Sequence, residues 1–293
     1  DAVLRILADS KPMPLDSAGL SVRNLAELKK LVARPYGLVL CVGPTGSGKT
    51  TTLHAMLGFI NTADTKIWTA EDPVEITQPG LRQVQVHPKI GLTFAAALRT
   101  FLRADPDVIM VGEMRDVETA STAIEASLTG HLVLSTLHTN SAPETITRLL
   151  DMGLDPFNFA DALLGVLAQR LARSLCASCR EPHPGTIEEW ERFARNYGLD
   201  AFANLHPYGP SFRVWRAPGC PACRGTGYRG RIALHELLVC DDDLRQTITH
   251  RRPAAEIRTA AVKNGMTTLL QDGIEKALAG LTDLTQVLAA ASR

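Results

Sequence analysis

This sequence predicts an α/β fold with a mostly parallel sheet, joined to a four-cysteine module and a helical C-terminal segment. Three observations lead there. A glycine-rich turn, residues 43–50 ("GPTGSGKT"), sits between the apolar run 38–42 and a helix-forming stretch. Further short apolar runs alternate with stretches of helical periodicity up to about residue 170, the pattern of strands joined by crossover helices. Two Cys-x-x-Cys pairs follow, with residues 180–219 between them.

The chain has 293 residues, 45% of them hydrophobic and 21% charged, which suits a globular protein of two or three domains. Its formal net charge is zero, which argues against a dedicated nucleic-acid binder. No apolar run approaches the roughly 20 residues of a membrane span. The chain opens on Asp1 with no signal peptide, and is read as part of a longer cytoplasmic protein. Four of its six cysteines form the two close pairs, which points to metal binding in a reducing compartment rather than to disulfides.

In chain order, residues 1–7 ("DAVLRIL") read as a strand and 24–32 as a short helix with an Asn24-x-x-Glu27 cap. Residues 38–42 form a strand that feeds the glycine-rich turn. The turn matches G-x-x-x-x-G-K-[ST], in which backbone N–H groups and a helix N-terminus cradle phosphates. Gly43, Pro44, Thr45, Gly46, Ser47, Gly48, Lys49, Thr50 and Thr51 are the nucleotide-binding candidates, with Lys49 reaching the outer phosphates and the Thr50 hydroxyl binding magnesium.

Residues 66–70, 108–111 and 132–136 read as strands, and ligands of open α/β sheets gather at strand carboxyl ends. Glu71 and Asp72 follow the first of these, Glu113 the second and His138 the third. Hydrolysis of a nucleoside triphosphate needs a positioned water, magnesium and cationic charge, so Glu71, Glu113 and His138 are the catalytic candidates. His131 precedes its strand and His138 follows it. Seven extended residues separate them by roughly 23 Å, so both cannot serve one γ-phosphate. The choice falls on His138, leaving His131 a structural or interface role. Helices are expected over 94–103, with Arg99 and Arg103 on one face, and over 116–128 and 143–151.

Cys176, Cys179, Cys220 and Cys223 fit a closed, tetrahedral zinc site of structural type. The gap exceeds that of a compact ribbon, and a helix over 187–197 is expected inside it. "CPACRGTG" also mimics a chaperone-like element, but occurs once. Cys41 reads as a core residue. From Asp241 on the chain is helical, its last helix capped by Thr282.

The ordered set "GPTGSGKTTTLHA", "EDPVE", "LRADPDVIMVGEMRDVETA", "TGHLVLSTLHTN", "RLLDMG", "AQRLAR", the paired cysteines and "GYRGRIALHELL" resembles the secretion ATPases of type II secretion and type IV pilus assembly. The resemblance runs from about residue 3 to 287. It places the family's Walker A, Asp, Walker B and His boxes on residues 43–50, 71–75, 108–113 and 129–140. It implies a RecA-like ATPase core over 34–170, preceded over 1–33 by the tail of an N-terminal domain and linker. A zinc module over 171–235 and a helical domain over 236–293 would follow. Glu71 matches the Asp-box glutamate, Glu113 the Walker B glutamate near magnesium, and both histidines the His box. Asp72, Arg99, Arg103 and Arg115 are further candidates.

The resemblance further implies a homohexamer that hydrolyses ATP with Mg2+. Such a ring drives an inner-membrane platform protein, with cytoplasmic adaptor proteins as partners and no direct nucleic acid, from a cytoplasmic position at the bacterial inner membrane. The family's preceding domain supplies arginines to a neighbouring subunit, so this segment is expected to bind nucleotide well and hydrolyse it poorly. Four-cysteine motifs in secretion and pilus-assembly members point to assembly or export rather than retraction. Two other readings stand beside this one. The first is a zinc-bearing nucleic-acid binder, since Arg213, Arg216, Arg224, Arg229 and Arg231 crowd the second cysteine pair. The second is a nucleotide-binding scaffold without turnover.

Overall fold

A computed structural model describes residues 12–291, so the strand expected over 1–7 lies outside the described residues. The elements run α1 (Val22–Val32), β1 (Gly37–Val42), α2 (Lys49–Ile60), β2 (Ile67–Glu71), β3 (Leu81–Gln85), α3 (Phe94–Phe101), β4 (Val108–Val111), α4 (Val117–Leu128), β5 (Leu132–Leu137), α5 (Ala142–Asp151), α6 (Pro156–Ala162) and β6 (Leu163–Leu175). They continue as β7 (Glu181–Pro184), α7 (Ile187–Tyr197), α8 (Leu199–Leu205), β8 (Arg213–Arg216), β9 (Tyr228–Val239), α9 (Asp242–Thr249), α10 (Ala254–Lys263), α11 (Leu269–Leu278) and α12 (Leu284–Ala291). None of the described helices is long and apolar enough to cross a membrane.

The main sheet has the order β3-β2-β4-β5-β1-β6-β9. Its pairings from β3 through β6 are parallel, with Ala70 opposite Val111, Val111 opposite Ser135 and Val42 opposite Leu137. β1, β4 and β5 are buried along their whole length, as expected for strands covered on both faces. Side chains start the crossover helices: Asp116 accepts from the Thr119 N–H (2.8 Å) and Ser141 from the Glu144 N–H (3.3 Å).

The chain forms two compact units. The first holds residues 12–18, Val22–Ala168 and Leu237–Met266, and the second holds Gly19–Ser21, Gln169–Glu236 and residues 267–291. The boundaries fall inside β6 and β9, two long strands that each pass from one unit into the other. The sequence reading also cut inside these strands, at 170 and 235, but made 236–293 one helical domain, whereas Leu237–Met266 belong to the first unit and residues 267–291 to the second. The C-terminal helices form two pairs. α9 packs on α6 and α10 on α5 in the first unit, while α11 packs on α7, β8 and α12 in the second.

Several local expectations change. α1 starts at Val22, so Asn24 lies inside its first turn, fully buried, and does not cap it. α3 ends at Phe101, which puts Arg103 beyond the helix, while Arg99 pairs with Glu118 of α4 at 2.5 Å. α12 is opened by Asp283, whose Oδ1 accepts from the Gln286 N–H, because Thr282 donates its hydroxyl to Arg173 O instead.

In the second unit, Asp272 accepts from Lys276 Nζ (2.5 Å) and from the His235 N–H (2.8 Å), and Lys276 also donates to Ala233 O (2.7 Å). This buried pair ties α11 to β9. The neighbouring His235 ring is fully buried and neither nitrogen makes a hydrogen bond of normal geometry. Burial first, then the charge of Lys276, depresses its pKa to about 3. The folded protein therefore binds fewer protons than the unfolded chain between about pH 3 and 6.5. Stability from this neutral ring is complete above pH 6.5 and is lost as pH falls toward 3. His235→Leu is expected to flatten the fall of the melting temperature between pH 7 and 4.5. Parallel curves for the two proteins rule this account out.

Candidate functional site

The first unit gathers most of the residues singled out from sequence on the carboxyl edge of its sheet. The 43–50 loop joins β1 to α2. Its last glycine, Gly48, has φ +87°, left-handed backbone that glycine adopts at no steric cost, and no side chain caps the helix it opens. The first N–H groups of α2 thus point out of the loop without a side-chain acceptor. Lys49 is buried, and its ammonium donates to Gly43 O (2.8 Å) and Pro44 O (3.1 Å) across the loop's mouth. Ser47 is buried, Thr50 is half-buried and Thr51 exposed, and the Thr50 and Thr51 hydroxyls make no protein hydrogen bond among the described residues.

β5 is one strand from β1, and β4 two, at roughly 4.8 Å per step. His138 follows β5 and Glu113 follows β4. Glu113 is largely buried. One carboxylate oxygen pairs with Arg115, and the other, Oε2, has no formed hydrogen bond and faces His138 Nε2 at 3.5 Å. Burial, then repulsion from Lys49, lowers the His138 pKa against the pull of Glu113. His138 is therefore a neutral imidazole at pH 7 within the field of Lys49. Asp72 is exposed and acts electrostatically on Arg115, which is itself mostly exposed.

Glu71 is placed differently from the sequence expectation. It is the last residue of β2 rather than the first of a loop, three strands or roughly 14 Å from β1, and its side chain is buried. Its Oε1 accepts from Thr69 Oγ1 (2.6 Å) and Gln83 Nε2 (2.9 Å), and its Oε2 from His54 Nε2 (3.2 Å). Gln78 Nε2 donates to His54 Nδ1 (3.1 Å), which leaves the ring proton on Nε2, facing Glu71. Burial pushes the Glu71 pKa up, but hydrogen bonds from His54, Gln83 and Thr69 outweigh it and hold the pKa below the usual glutamate value. His54, Gln78 and Gln83 went unnoticed in the sequence. His54 sits inside the quoted "TTTLHA" string, but only the tertiary packing of α2 on β2 reveals its partner.

The remaining candidates lie apart from this edge. His131 stands at the amino end of β5, its Nδ1 3.0 Å from Ala126 O. Arg99 braces α3 against α4 and Arg103 is exposed beyond α3.

In the second unit, the four cysteines converge. The sulfurs of Cys176, Cys179, Cys220 and Cys223 lie within 4.8 Å of one another, with Cys176–Cys220 at 3.9 Å, Cys179–Cys223 at 4.0 Å and Cys220–Cys223 at 3.8 Å. These separations exclude disulfides, whose S–S bond is about 2.05 Å. They match the roughly 3.8 Å between sulfurs held about 2.3 Å from a tetrahedral ion. The Cys220 and Gly227 N–H groups donate to Cys223 Sγ and depress its pKa to about 6, favouring the thiolate a metal needs. Gly227 has φ +74°, and a Cβ there would lie 2.4 Å from Ala217 O. The cluster could hold a metal ion. Between the pairs the chain forms the β7–β8 hairpin and the expected α7, whose Trp190 and Phe193 pack with Phe202. Cys41 is buried in β1 and takes no part.

The family model for type II/IV secretion system proteins matches residues 1–289. The chain belongs to this family. It is 48% identical over 292 residues to the type IV pilus assembly ATPase PilB of Thermus thermophilus, covering 98% of this chain and 32% of that protein. It is 46% identical over 287 residues to the type II secretion system protein E of Aeromonas hydrophila, covering 98% of this chain and 55% of that one. The chain thus spans from a third to about half the length of these relatives. A crystal structure of the pilus retraction motor PilT with bound ADP superposes with a TM-score of 0.69 at 29% identity, covering 97% of this chain and 68% of that one.

Proposed function

We propose that this chain is the ATP-hydrolysing part of a hexameric motor that powers type II secretion pseudopilus or type IV pilus assembly. One observation carries the reading: the adjacent ends of β1, β5 and β4 put Lys49, His138 and Glu113 in electrostatic reach of one another. Backbone N–H groups of residues 46–50 and the Lys49 ammonium would bind the β- and γ-phosphates of ATP. The Thr50 hydroxyl would hold Mg2+, which supplies charge neutralisation at the phosphates when bound. Glu113 Oε2, lacking a hydrogen bond, accepts one from the attacking water. The water oxygen bonds to the γ-phosphorus as the bridge to the β-phosphate breaks, giving ADP and phosphate. The neutral His138 ring donates to a γ-phosphate oxygen and loses that partner when phosphate leaves.

Glu71 is given a positioning role, fixing β2 and the following loop through His54 and Gln83. The four cysteines hold zinc as a structural ion. The chain would act as a homohexamer at the cytoplasmic side of the inner membrane, on platform and adaptor proteins; the relatives' names, a type IV pilus assembly ATPase and a type II secretion system protein, support a place in such a machine. Phosphate release and binding of a fluorescent ATP analogue test the site. Lys49→Ala is expected to weaken nucleotide binding at least tenfold and to remove turnover. An unchanged rate would overturn the assignment of the loop.

A further inference from the structure

Two acid-free stretches of the second unit meet at the cysteine cluster. Residues 169–180 contain three arginines and residues 201–235 five, with no Asp or Glu in either. Some of this charge is used internally. Arg180 donates to Gly280 O (2.5 Å) and lies over the Trp215 ring, Arg173 lies over the Tyr228 ring, and Arg216 pairs with Glu189. Arg224, Arg229 and Arg231 are exposed, and their side chains have no ion pair or hydrogen bond among the described residues. Three unpartnered guanidinium groups within eight residues, in a protein of zero net charge, form a local positive surface.

A cavity of about 530 Å³ opens beside Arg229, one of these three. Arg180 and Arg229 line it with the hydroxyl residues Ser174 and Ser178, while Leu175, Ile232 and Leu281 give it an apolar wall. An apolar wall flanked by guanidinium groups suits a ligand with an apolar body beside carboxylates. The aromatic faces nearby are already taken: Trp215 lies under Arg180 and against Gly280, and its indole N–H donates to Leu278 O, while Tyr228 lies under Arg173. A guanidinium thus already covers one face of each of these two rings, where single-stranded nucleic acids would stack their bases.

We infer that this cavity and its arginine rim form a docking site for an acidic, partly apolar polypeptide segment of a partner protein. The Arg229 and Arg231 guanidinium groups would take the carboxylates and the Ile232–Leu281 wall a leucine-sized side chain. All the residues of the site belong to the second unit, and binding there does not depend on turnover at the nucleotide loop.

The test uses a fluorescein-labelled decapeptide of alternating Glu and Leu, read by anisotropy on the full chain at 50 and 300 mM salt. Saturable binding is expected. It should weaken at least tenfold at the higher salt, weaken at least tenfold in the Arg229→Glu/Arg231→Glu variant, and persist in Arg229→Lys. Metal content, melting temperature and ATP turnover should stay the same in all variants, since these arginines are exposed and outside the catalytic site. Absence of binding to the parent protein, or equal binding to the charge-reversed one, overturns the inference. So does tighter arginine-dependent binding of a 20-mer oligothymidylate or of phosphatidylglycerol vesicles.

Discussion

Glu113→Gln is expected to lower ATP turnover by a factor on the order of 10² to 10⁴ while leaving nucleotide affinity and melting temperature close to those of the parent, because it removes a water-orienting carboxylate without emptying a hydrogen-bond network. Glu71→Gln should behave in the opposite way. Glu71 accepts three hydrogen bonds inside the protein, and an amide can place an oxygen at only one of its two positions. The amide nitrogen then meets another donor, either His54 Nε2 or the Thr69–Gln83 pair. One unsatisfied buried group costs about 1–3 kcal/mol. The expected result is a clear loss of stability with a fall in turnover at least tenfold smaller than that of Glu113→Gln. Single-turnover phosphate release beside thermal melts separates the two. If the Glu71 variant melts normally and loses turnover as completely as the Glu113 variant, the division of roles between the carboxylates is wrong.

The second large effect concerns the cysteines. Removing the bound metal with a chelator, or replacing Cys223 with Ser, should release the segment between the pairs from the rest of its unit. The four sulfurs, in contact at 3.8–4.0 Å, lose the ion that would hold them together, and metal-binding energy in such sites is folding energy. Amide hydrogen exchange should show protection lost over residues 176–230, with β1, β4 and β5 still protected. Elemental analysis should give one zinc per chain in the parent protein. Purified protein lacking metal, with the same exchange pattern in Cys223→Ser, would remove the structural-zinc account.

The two effects differ in how plainly the sequence announced them. The phosphate loop needed only local information: glycine where the backbone turns left-handed, lysine at the helix start, an apolar run before it. β4 and β5 were equally legible, since a strand buried on both faces is apolar along its length. β3 was not. It is an edge strand, half exposed, and its "LRQVQ" carries polar residues that suit water on one side and Glu71 on the other. β6 was obscured for another reason. Its leucines, alanines and arginines recur at spacings that fit a helix as well as a strand, and it becomes a strand because β1 offers an open edge beside it.

The sequence by itself determined the phosphate loop, the alternation of strands and helices, and a four-cysteine set of metal-binding spacing, because each is written in residues close along the chain. Only the tertiary structure decided which carboxylate is free to act. Glu71 and Glu113 both end or follow buried strands, and no local pattern tells them apart. The difference comes from His54, Thr69 and Gln83, which α2, β2 and β3 bring around one carboxylate, while Glu113 is left with a buried oxygen facing His138. Hydrogen-bond partners drawn from separate elements are set by packing, and packing is not readable from the spacing of residues along one strand.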